Sequence, residues 1–165
     1  MPGSPEGLRY MYVGRKFGSG MSLSMTLSLT LRSDASEISR LVDRIDAFGL
    51  EAGLPPDVTF RLALSLDEIV SNVIRHGFDD NAEHQILVTL AVADGHVTAT
   101  VVDDGSAFDP REAPLPDLDA PLEERQAGGL GMHLVRETMD EIDYRREDGR
   151  NILTVRTSTA GREPV

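Results

Sequence analysis

Residues 66–77 read Leu-Asp-Glu-Ile-Val-Ser-Asn-Val-Ile-Arg-His-Gly and close a segment that a pair of prolines opens. The apolar residues recur at helical spacing, which predicts an amphipathic helix that ends at the glycine. Glu68, Asn72 and His76 lie four positions apart, on a stripe beside the apolar one. The sequence therefore predicts that a carboxylate, an amide and an imidazole share one edge of a helix.

The helix alone leaves two interpretations of this edge open. The amide oxygen of Asn72 is a hard ligand suited to Mg²⁺, and Glu68, one turn away, can accept a proton from a hydroxyl group or a water molecule. Solvated polar residues on an ordinary surface helix give the same pattern. His76 is interpreted as structural, because a lone histidine at a helix end is more often a hydrogen-bonding group than a proton carrier.

The neighbouring segments indicate the fold class. Alternating apolar residues predict strands, and an Asp-Gly pair between two apolar, β-branched runs predicts a hairpin. The predicted elements are a strand over 22–31, a helix capped by Ser33 or Asp34 and ending near 49–53, a helix over about 56–76, strands over 85–93 and 96–103, a helix over about 132–139, and strands over 141–146 and 151–157. This order predicts an α+β fold: a two-layer α/β sandwich with a mixed, mainly antiparallel sheet and its helices on one face.

The length of 165 residues suggests one domain. Residues 1–21 are rich in Gly, Ser and Pro and lack periodicity, so they are predicted to be a flexible, disordered leader before a domain over 22–160, with Met21 or Met25 as the functional start. The stretch after 104 carries four prolines among many acids. A loop of this length is usually a functional lid or disordered, and both remain open for a lid at about 106–127.

The composition excludes several function classes. Asp and Glu number 28 against 16 Lys and Arg, and the net charge of -12 disfavours binding to phosphate backbones. Lys16 is the only lysine, which excludes a Walker A loop and a eukaryotic-type protein kinase site. The absence of cysteine excludes disulfides and thiolate zinc sites. Because no signal peptide or apolar run of about 18 residues is present, a cytoplasmic protein is expected.

Two further patterns suit a nucleotide. Asp103 ends an apolar strand, where a carboxylate can accept a hydrogen bond from an exocyclic amine such as that of adenine, and Gly105 lets the chain approach a flat ligand closely. Residues 128–131, Gly-Gly-Leu-Gly, precede a predicted helix, where free N–H groups can point at phosphate oxygens. Each pattern has a plain structural alternative, a strand-ending turn and a loop hinge respectively. Together with the helix edge, they supply what Mg-ATP needs.

These motifs resemble those of a known superfamily. The similar segments are Glu68-x-x-x-Asn72-x-x-x-His76 for the N box, Asp103-x-Gly105 with Phe108-Asp109-Pro110 for the G1 box, and Gly128-Gly129-Leu130-Gly131 for the G2 box of GHKL (Bergerat-fold) ATPases. The tail Val135-Arg136-x-x-x-Asp140-Glu141-x-x-Tyr144, followed by Gly149-x-Asn151-x-Leu153, is most similar to the anti-sigma-factor serine-protein kinases of the RsbW type. The similarity spans about 27–156.

The resemblance implies a Bergerat ATP-binding fold with ATP and Mg²⁺ as cofactors. It implies Glu68 as the general base, Asn72 as the Mg²⁺ ligand and Asp103 as the carboxylate that reads adenine. The implied nucleotide contacts are Asn72, Asp103, Gly105, Phe108, Gly128, Gly129, Leu130, Gly131 and Met132. Ala107 departs from the pattern, because many GHKL members carry a second G1 glycine there.

The resemblance also implies partners. In such kinases, the substrate is a serine or threonine on a STAS-domain anti-sigma-factor antagonist, and a sigma factor is the other partner; a homodimer is consistent with the family, and no direct contact with nucleic acid or membrane is expected. Two alternatives stay open: a non-catalytic ATP-binding module that switches between partners, and a stand-alone catalytic domain of the histidine-kinase type. The presence of Glu68 favours catalysis, since binding alone needs no base beside a metal ligand.

Overall fold

The computed structural model describes residues 8–17, 20–114, 117, 119, 121 and 129–161. These ranges contain strands β1 (Leu8–Phe17), β2 (Gly20–Arg32), β3 (Gln85–Ala93), β4 (His96–Asp103), β5 (Glu141–Glu147) and β6 (Arg150–Ser158), helices α1 (Glu37–Glu51), α2 (Pro56–His76) and α3 (Gly129–Thr138), and a 3₁₀ turn over Pro110–Glu112. Among the helices of these ranges, none has the length and hydropathy that a membrane span requires.

The strands form one sheet in the order β1-β2-β3-β4-β6-β5. Every neighbouring pair within the described residues is antiparallel, so the predicted α+β class is confirmed and the sheet is more regular than the mixed one expected. The β3–β4 and β5–β6 hairpins turn at Asp94-Gly95 and Asp148-Gly149, and all four residues have positive φ. This is the conformation for which Asp-Gly pairs are selected in two-residue hairpins.

The prediction of a flexible leader was wrong for residues 8–17, which form β1. This strand pairs with β2 along its whole length, from Leu8 opposite Leu29 to Phe17 opposite Gly20. Pairing satisfies the backbone hydrogen-bonding groups of both strands whatever the side-chain pattern, and a search for alternating hydrophobicity does not detect that contribution. Residues 1–7 of the expected leader lie outside the described residues.

The hydrophobic core lies between one face of the sheet and the helices. β2, β3, β4 and β6 contribute alternate residues to this face, and α1 and α2 contribute the facing apolar stripes. The largest fully buried side chains are Phe48, Leu27, Leu29, Leu31, Leu41, Ile45, Leu62, Leu66, Ile86, Leu90, Val58 and Val70. The core therefore fixes α2, the helix that carries the predicted polar edge, against the middle of the sheet.

Two helix boundaries differ from the sequence prediction. α1 begins at Glu37, because the Asp34 side chain accepts the Ser36 N–H at 2.8 Å in a turn that precedes the helix. α3 begins at Gly129, three residues earlier than expected. Of the lid expected at about 106–127, the structure describes mainly the first part, which includes the 3₁₀ turn.

α1 and α2 approach each other closely at Gly49. A Cβ atom at this position would lie 2.6 Å from Cγ2 and 3.0 Å from Cβ of Thr59. Both distances are below normal van der Waals contact, so only glycine lets the two helices pack at this spacing.

We expect Gly49→Ala to lower the free energy of unfolding by about 1–3 kcal/mol, the usual cost of overpacking. Alanine has the higher helix propensity, by about 1 kcal/mol, so any loss of stability reports the contact with Thr59. Thr59→Ala in the same chain should recover much of the loss, because it removes Cγ2. Denaturant unfolding of both single variants and the double variant checks this, and strictly additive effects would contradict it.

Candidate functional site

A cavity of about 380 Å³ lies between α2, α3 and the adjoining ends of β4 and β6. Four elements contribute apolar side chains to its lining: Ile69 and Val73 from α2, Val101 from β4, Leu153 from β6 and Met132 from α3. A groove of about 480 Å³ between α1 and α2 is larger, but its lining contains none of the predicted site residues. We therefore place the candidate site in the smaller cavity.

Asp103, the last residue of β4, lies buried in the cavity lining. Its Oδ1 accepts hydrogen bonds from the Gly105 N–H and from Nδ2 of Asn151, both at 2.9 Å. The described residues provide no hydrogen bond to Oδ2. One carboxylate oxygen is thus held by the protein, and the other is left to accept a hydrogen bond from a ligand.

Asn151 of β6 holds Asp103 in place and lines the same cavity. Besides its bond to Asp103, its Nδ2 donates to the Ser106 carbonyl oxygen at 2.9 Å. Its Oδ1 accepts from Tyr144 Oη at 2.7 Å and from Arg146 Nη1 at 2.8 Å. Both ends of the buried amide are therefore hydrogen-bonded.

No role for Asn151 is predicted from the sequence. The signal that points to it is an amide at an inward-facing position of a strand whose other inward residues are mostly apolar. Such a buried amide requires partners, because a buried polar group without hydrogen bonds is costly.

Gly105 turns directly against the end of α2. A Cβ atom at this position would lie 2.5 Å from the Gly77 carbonyl oxygen, which also accepts the Ser106 N–H at 2.7 Å. Arg146 Nη1 donates to the Gly105 carbonyl oxygen at 3.0 Å. The turn after Asp103 is thus fixed from both sides, and a larger residue would push it away from the helix.

The polar edge of α2 divides between the cavity and α3. Asn72 and His76 line the cavity. Glu68 lies outside its lining and faces Gly131 in the first turn of α3, where an added Cβ would overlap the Glu68 carboxylate and lie 2.7 Å from its Cδ. Residues more than 60 positions apart in the printed sequence are therefore neighbours at this point.

The remaining predicted contacts are placed as follows. Phe108 and Met132 line the cavity, Phe108 as an exposed side chain and Met132 as a buried one. Gly129 and Leu130 open α3, and Gly131, although it contacts Glu68, is not part of the lining. Gly128 lies outside the described residues.

A cluster around His84 fixes the loop between α2 and β3 beside the site. The imidazole stacks on the Phe78 ring with centroids 4.1 Å apart. Its Nε2 lies 2.6 Å from Asp80 Oδ1, and its Nδ1 lies 3.1 Å from Oδ1 of Asp104, the neighbour of Asp103. The hydrogen bond with Asp80, assisted by Asp104, raises the pKa of His84 above its ordinary value of 6.5, although desolvation opposes the shift.

The first part of the loop after β4 is attached to α3. Arg136 Nη2 donates to the carbonyl oxygens of Pro110 and Ala113, the latter at 2.9 Å. Arg111 forms an ion pair with Asp109 at 2.7 Å. Pro110 and Ala113 both line the cavity, so these arginines shape one of its walls.

An apolar slot with one carboxylate oxygen free at its base suits a planar heterocycle that carries an amino group. The comparison with known proteins agrees with this chemistry. The chain belongs to the histidine kinase-like ATPase domain family, whose family model matches residues 31–157. The match includes α1, α2, β4, α3 and most of β6, the elements between which the cavity and its neighbouring groove are formed.

Several bacterial proteins of this kind are similar in sequence. The serine/threonine-protein kinase BtrW of Bordetella bronchiseptica is 36% identical over 101 residues, which cover 61% of this chain and 71% of the relative. The serine-protein kinase RsbW of Listeria monocytogenes is 23% identical over 133 residues, covering 78% and 83%. The anti-sigma F factor of Heyndrickxia coagulans is 29% identical over 129 residues, covering 77% and 86%. The resemblance to the RsbW type is confirmed.

A solved structure shares the fold. The RsbU and RsbW domains of Rv1364c from Mycobacterium tuberculosis match with a TM-score of 0.60 at 18% identity, over 81% of this chain and 32% of that chain. This chain therefore spans about a third of the length of that protein, and the likeness shows the fold alone.

We expect Asn151→Leu to lower the free energy of unfolding by about 1–3 kcal/mol, because the variant leaves buried hydrogen-bonding groups without a partner. Thr154→Val, in the same strand and only half-buried, is the control and should change stability by about 0.5 kcal/mol or less, because its hydroxyl group makes one long hydrogen bond, with Thr100 at 3.4 Å. Denaturant unfolding measures both. Equal effects of the two substitutions would show that the Asn151 network contributes nothing specific.

The contribution of His84 should depend on pH. Because its pKa is raised in the folded state, the stabilisation is complete below the unfolded value of 6.5 and is lost as pH rises through the folded value. The stability difference between the wild type and His84→Gln should therefore shrink as the pH rises from below 6.5 through the raised folded value. His96→Gln, in the β3–β4 hairpin, is the control for denaturant unfolding across this range. A difference that stays constant would contradict the assignment.

Proposed function

We propose that the chain is an ATP-dependent serine/threonine-protein kinase that phosphorylates a STAS-domain anti-sigma-factor antagonist and binds a sigma factor. The observation that carries the proposal is the shared cavity of Asn72 and Asp103, with Glu68 one helical turn from Asn72 and against α3. The names of the relatives, serine-protein kinases and an anti-sigma F factor, support the same activity.

The cavity suits adenine. Oδ2 of Asp103 is available to accept a hydrogen bond from the exocyclic amine, while Asn151 and the Gly105 N–H hold Oδ1. The apolar side chains of Ile69, Met132 and Leu153 border the same space, where they would pack against a planar ring. We assign Asp103 as the residue that selects adenine.

Asn72 suits a magnesium ion that is shared with phosphate oxygens. Among the described residues, no group of three or more His, Asp or Glu side chains is placed to hold a metal ion. Mg²⁺ usually binds through one or two protein oxygens together with substrate phosphates and water, so a single amide oxygen is enough. When bound, Mg-ATP supplies the phosphoryl group and the cation that neutralises its charge.

The start of α3 supplies positive potential without lysine. The first backbone N–H groups of a helix have no partner within it, and the helix dipole favours an anion there. Gly131 in this first turn contacts Glu68, so the candidate base and the helix terminus are adjacent. We assign Gly129, Leu130, Gly131 and Met132 to the phosphate region.

Glu68 is the proposed general base. Its carboxylate would take the proton of the incoming serine hydroxyl as the oxygen–phosphorus bond forms and ADP leaves. The remainder of the catalysis rests on positioning and on charge neutralisation. The protein contributes a rigid α2, fixed by the core, on which base and metal ligand are held one turn apart.

Phosphate transfer distinguishes the proposal from its alternatives. The purified chain is incubated with labelled ATP, Mg²⁺ and either a STAS-domain antagonist or a histidine-bearing dimerisation domain as acceptor. Acid-stable label on the antagonist is expected. Acid-labile label on the histidine domain supports the histidine-kinase alternative, and Mg²⁺-dependent ATP binding in calorimetry without transfer to either acceptor supports the non-catalytic module.

We expect Glu68→Gln to keep nucleotide affinity within about threefold while slowing transfer by about 100-fold or more, the usual contribution of a general base. Glu147→Gln is the matched control, because Glu147 is exposed in β5 and pairs only weakly with Arg145, at 3.4 Å. Single-turnover transfer and calorimetry measure the two quantities. If Glu68→Gln transfers phosphate at the wild-type rate, Glu68 is not the general base.

A further inference from the structure

The groove between α1 and α2 lies on a different side of α2 from the nucleotide cavity. It has a volume of about 480 Å³ and is lined by residues of both helices and of the connection between them. Its floor includes Gly49 and Ala63, near the close approach of the two helices. The mechanism proposed for the nucleotide site uses none of its residues.

The groove exposes large apolar side chains. Leu50 is 85% exposed and Phe60 is 66% exposed, and they are the two most exposed large hydrophobic residues in the part of the chain that the structure describes. Both line this groove, one from each helix. Exposed apolar side chains that cluster in a concave surface, rather than being scattered, indicate a binding site for a protein, a membrane or a ligand.

The polar lining of the groove is acidic. Asp46 of α1 and Asp67 of α2 line it, and neither forms an ion pair with a basic residue within the described ranges. Asp67 Oδ1 accepts a hydrogen bond from Ser71 Oγ at 2.9 Å. The occupant should therefore present cations beside an apolar surface.

A helix fits these requirements better than a strand. The backbone groups of α1 and α2 are used within the helices, so the groove has no free edge with which an extended segment could pair. An amphipathic helix places apolar residues at i, i+3, i+4 and i+7 on one side and long basic side chains beside them. Such a helix can bury Leu50 and Phe60 while its cations face Asp46 and Asp67.

The same charges disfavour two other occupants. In a two-fold dimer through this face, the acidic patch of one copy would meet that of the other, and like charges would repel. An anionic lipid surface would be repelled as well, in keeping with the net charge of -12. The partner should therefore be a different protein.

We propose that the α1–α2 groove binds an amphipathic helix of another protein, with the apolar stripe of that helix on Leu50 and Phe60 and its basic residues facing Asp46 and Asp67. This surface is additional to the nucleotide site and does not depend on the kinase assignment.

A library of displayed 18-residue helices tests the proposal. Each member carries an apolar stripe at i, i+4, i+7 and i+11, varied among Leu, Ile, Met and Phe, and flanking positions varied among Arg, Ser and Glu. Selection on the wild-type chain is expected to enrich Arg at the flanks. In fluorescence anisotropy, the selected peptides should bind at least tenfold more weakly to Phe60→Ala and to Leu50→Ala, and equally well to Leu87→Ala, which alters an exposed leucine of β3.

A charge-reversal variant provides a second test of the groove proposal. The double variant Asp46→Lys, Asp67→Lys should lose the Arg-rich peptides and enrich Glu-rich ones from the same library. The proposal is overturned if no helix is enriched, or if Arg and Glu are selected equally at the flanking positions. It is also overturned if the groove variants bind the selected peptides with the affinity of the wild type. If the wild type self-associates and Phe60→Ala does not, the occupant of the groove is a second copy of the chain. If the wild type binds anionic vesicles and Phe60→Ala does not, the occupant is a lipid surface.

The groove proposal and the kinase proposal can be tested independently of each other. Calorimetry of ATP with the groove variants reports the nucleotide site alone. If no peptide binds while ATP binding is intact, the groove proposal is wrong. If the wild type does not bind ATP, the kinase assignment is wrong, irrespective of peptide binding.

Discussion

The buried pair of Asp103 and Asn151 is the constraint on which the candidate site depends. The antiparallel register of β4 and β6 places the two residues opposite each other, so the sheet itself brings the carboxylate and the amide together. Asn151 then fixes one oxygen of the carboxylate, and Tyr144 and Arg146 fix Asn151. Because a buried carboxylate is tolerated only with hydrogen-bonding partners, the position of Asp103 and the packing of β6 cannot be varied independently.

Local patterns were sufficient to predict much of the fold. The Asp-Gly turns and the apolar runs beside them predicted the β3–β4 hairpin to the residue, and the proline pair and Gly77 bracketed α2. Strand β1 was missed because its own residues show no hydrophobic periodicity, whereas its pairing with β2 is a feature of the folded sheet. The start of α1 was misplaced because Asp34 uses its carboxylate in the preceding turn.

The candidate site was predictable only in part. The motifs identified Asn72 and Asp103, and the structure brings both to one cavity. The support of Asp103 by Asn151 spans 48 positions in the sequence, and the contact of Glu68 with Gly131 joins two helices. Such pairs are formed by tertiary packing, so a single sequence names candidates without showing which of them meet. The assignments of base, metal ligand and phosphate contacts stay predictions.

Helix α2 borders the groove on one side and the candidate nucleotide cavity on another. Phe60 and Asp67 line the groove toward α1, while Asn72 lines the candidate nucleotide cavity and Glu68 contacts α3. A single rigid element that borders two sites is a direct route for thermodynamic linkage between them. If occupation of the groove changes nucleotide affinity by some factor, the nucleotide must change affinity for the groove's occupant by the same factor.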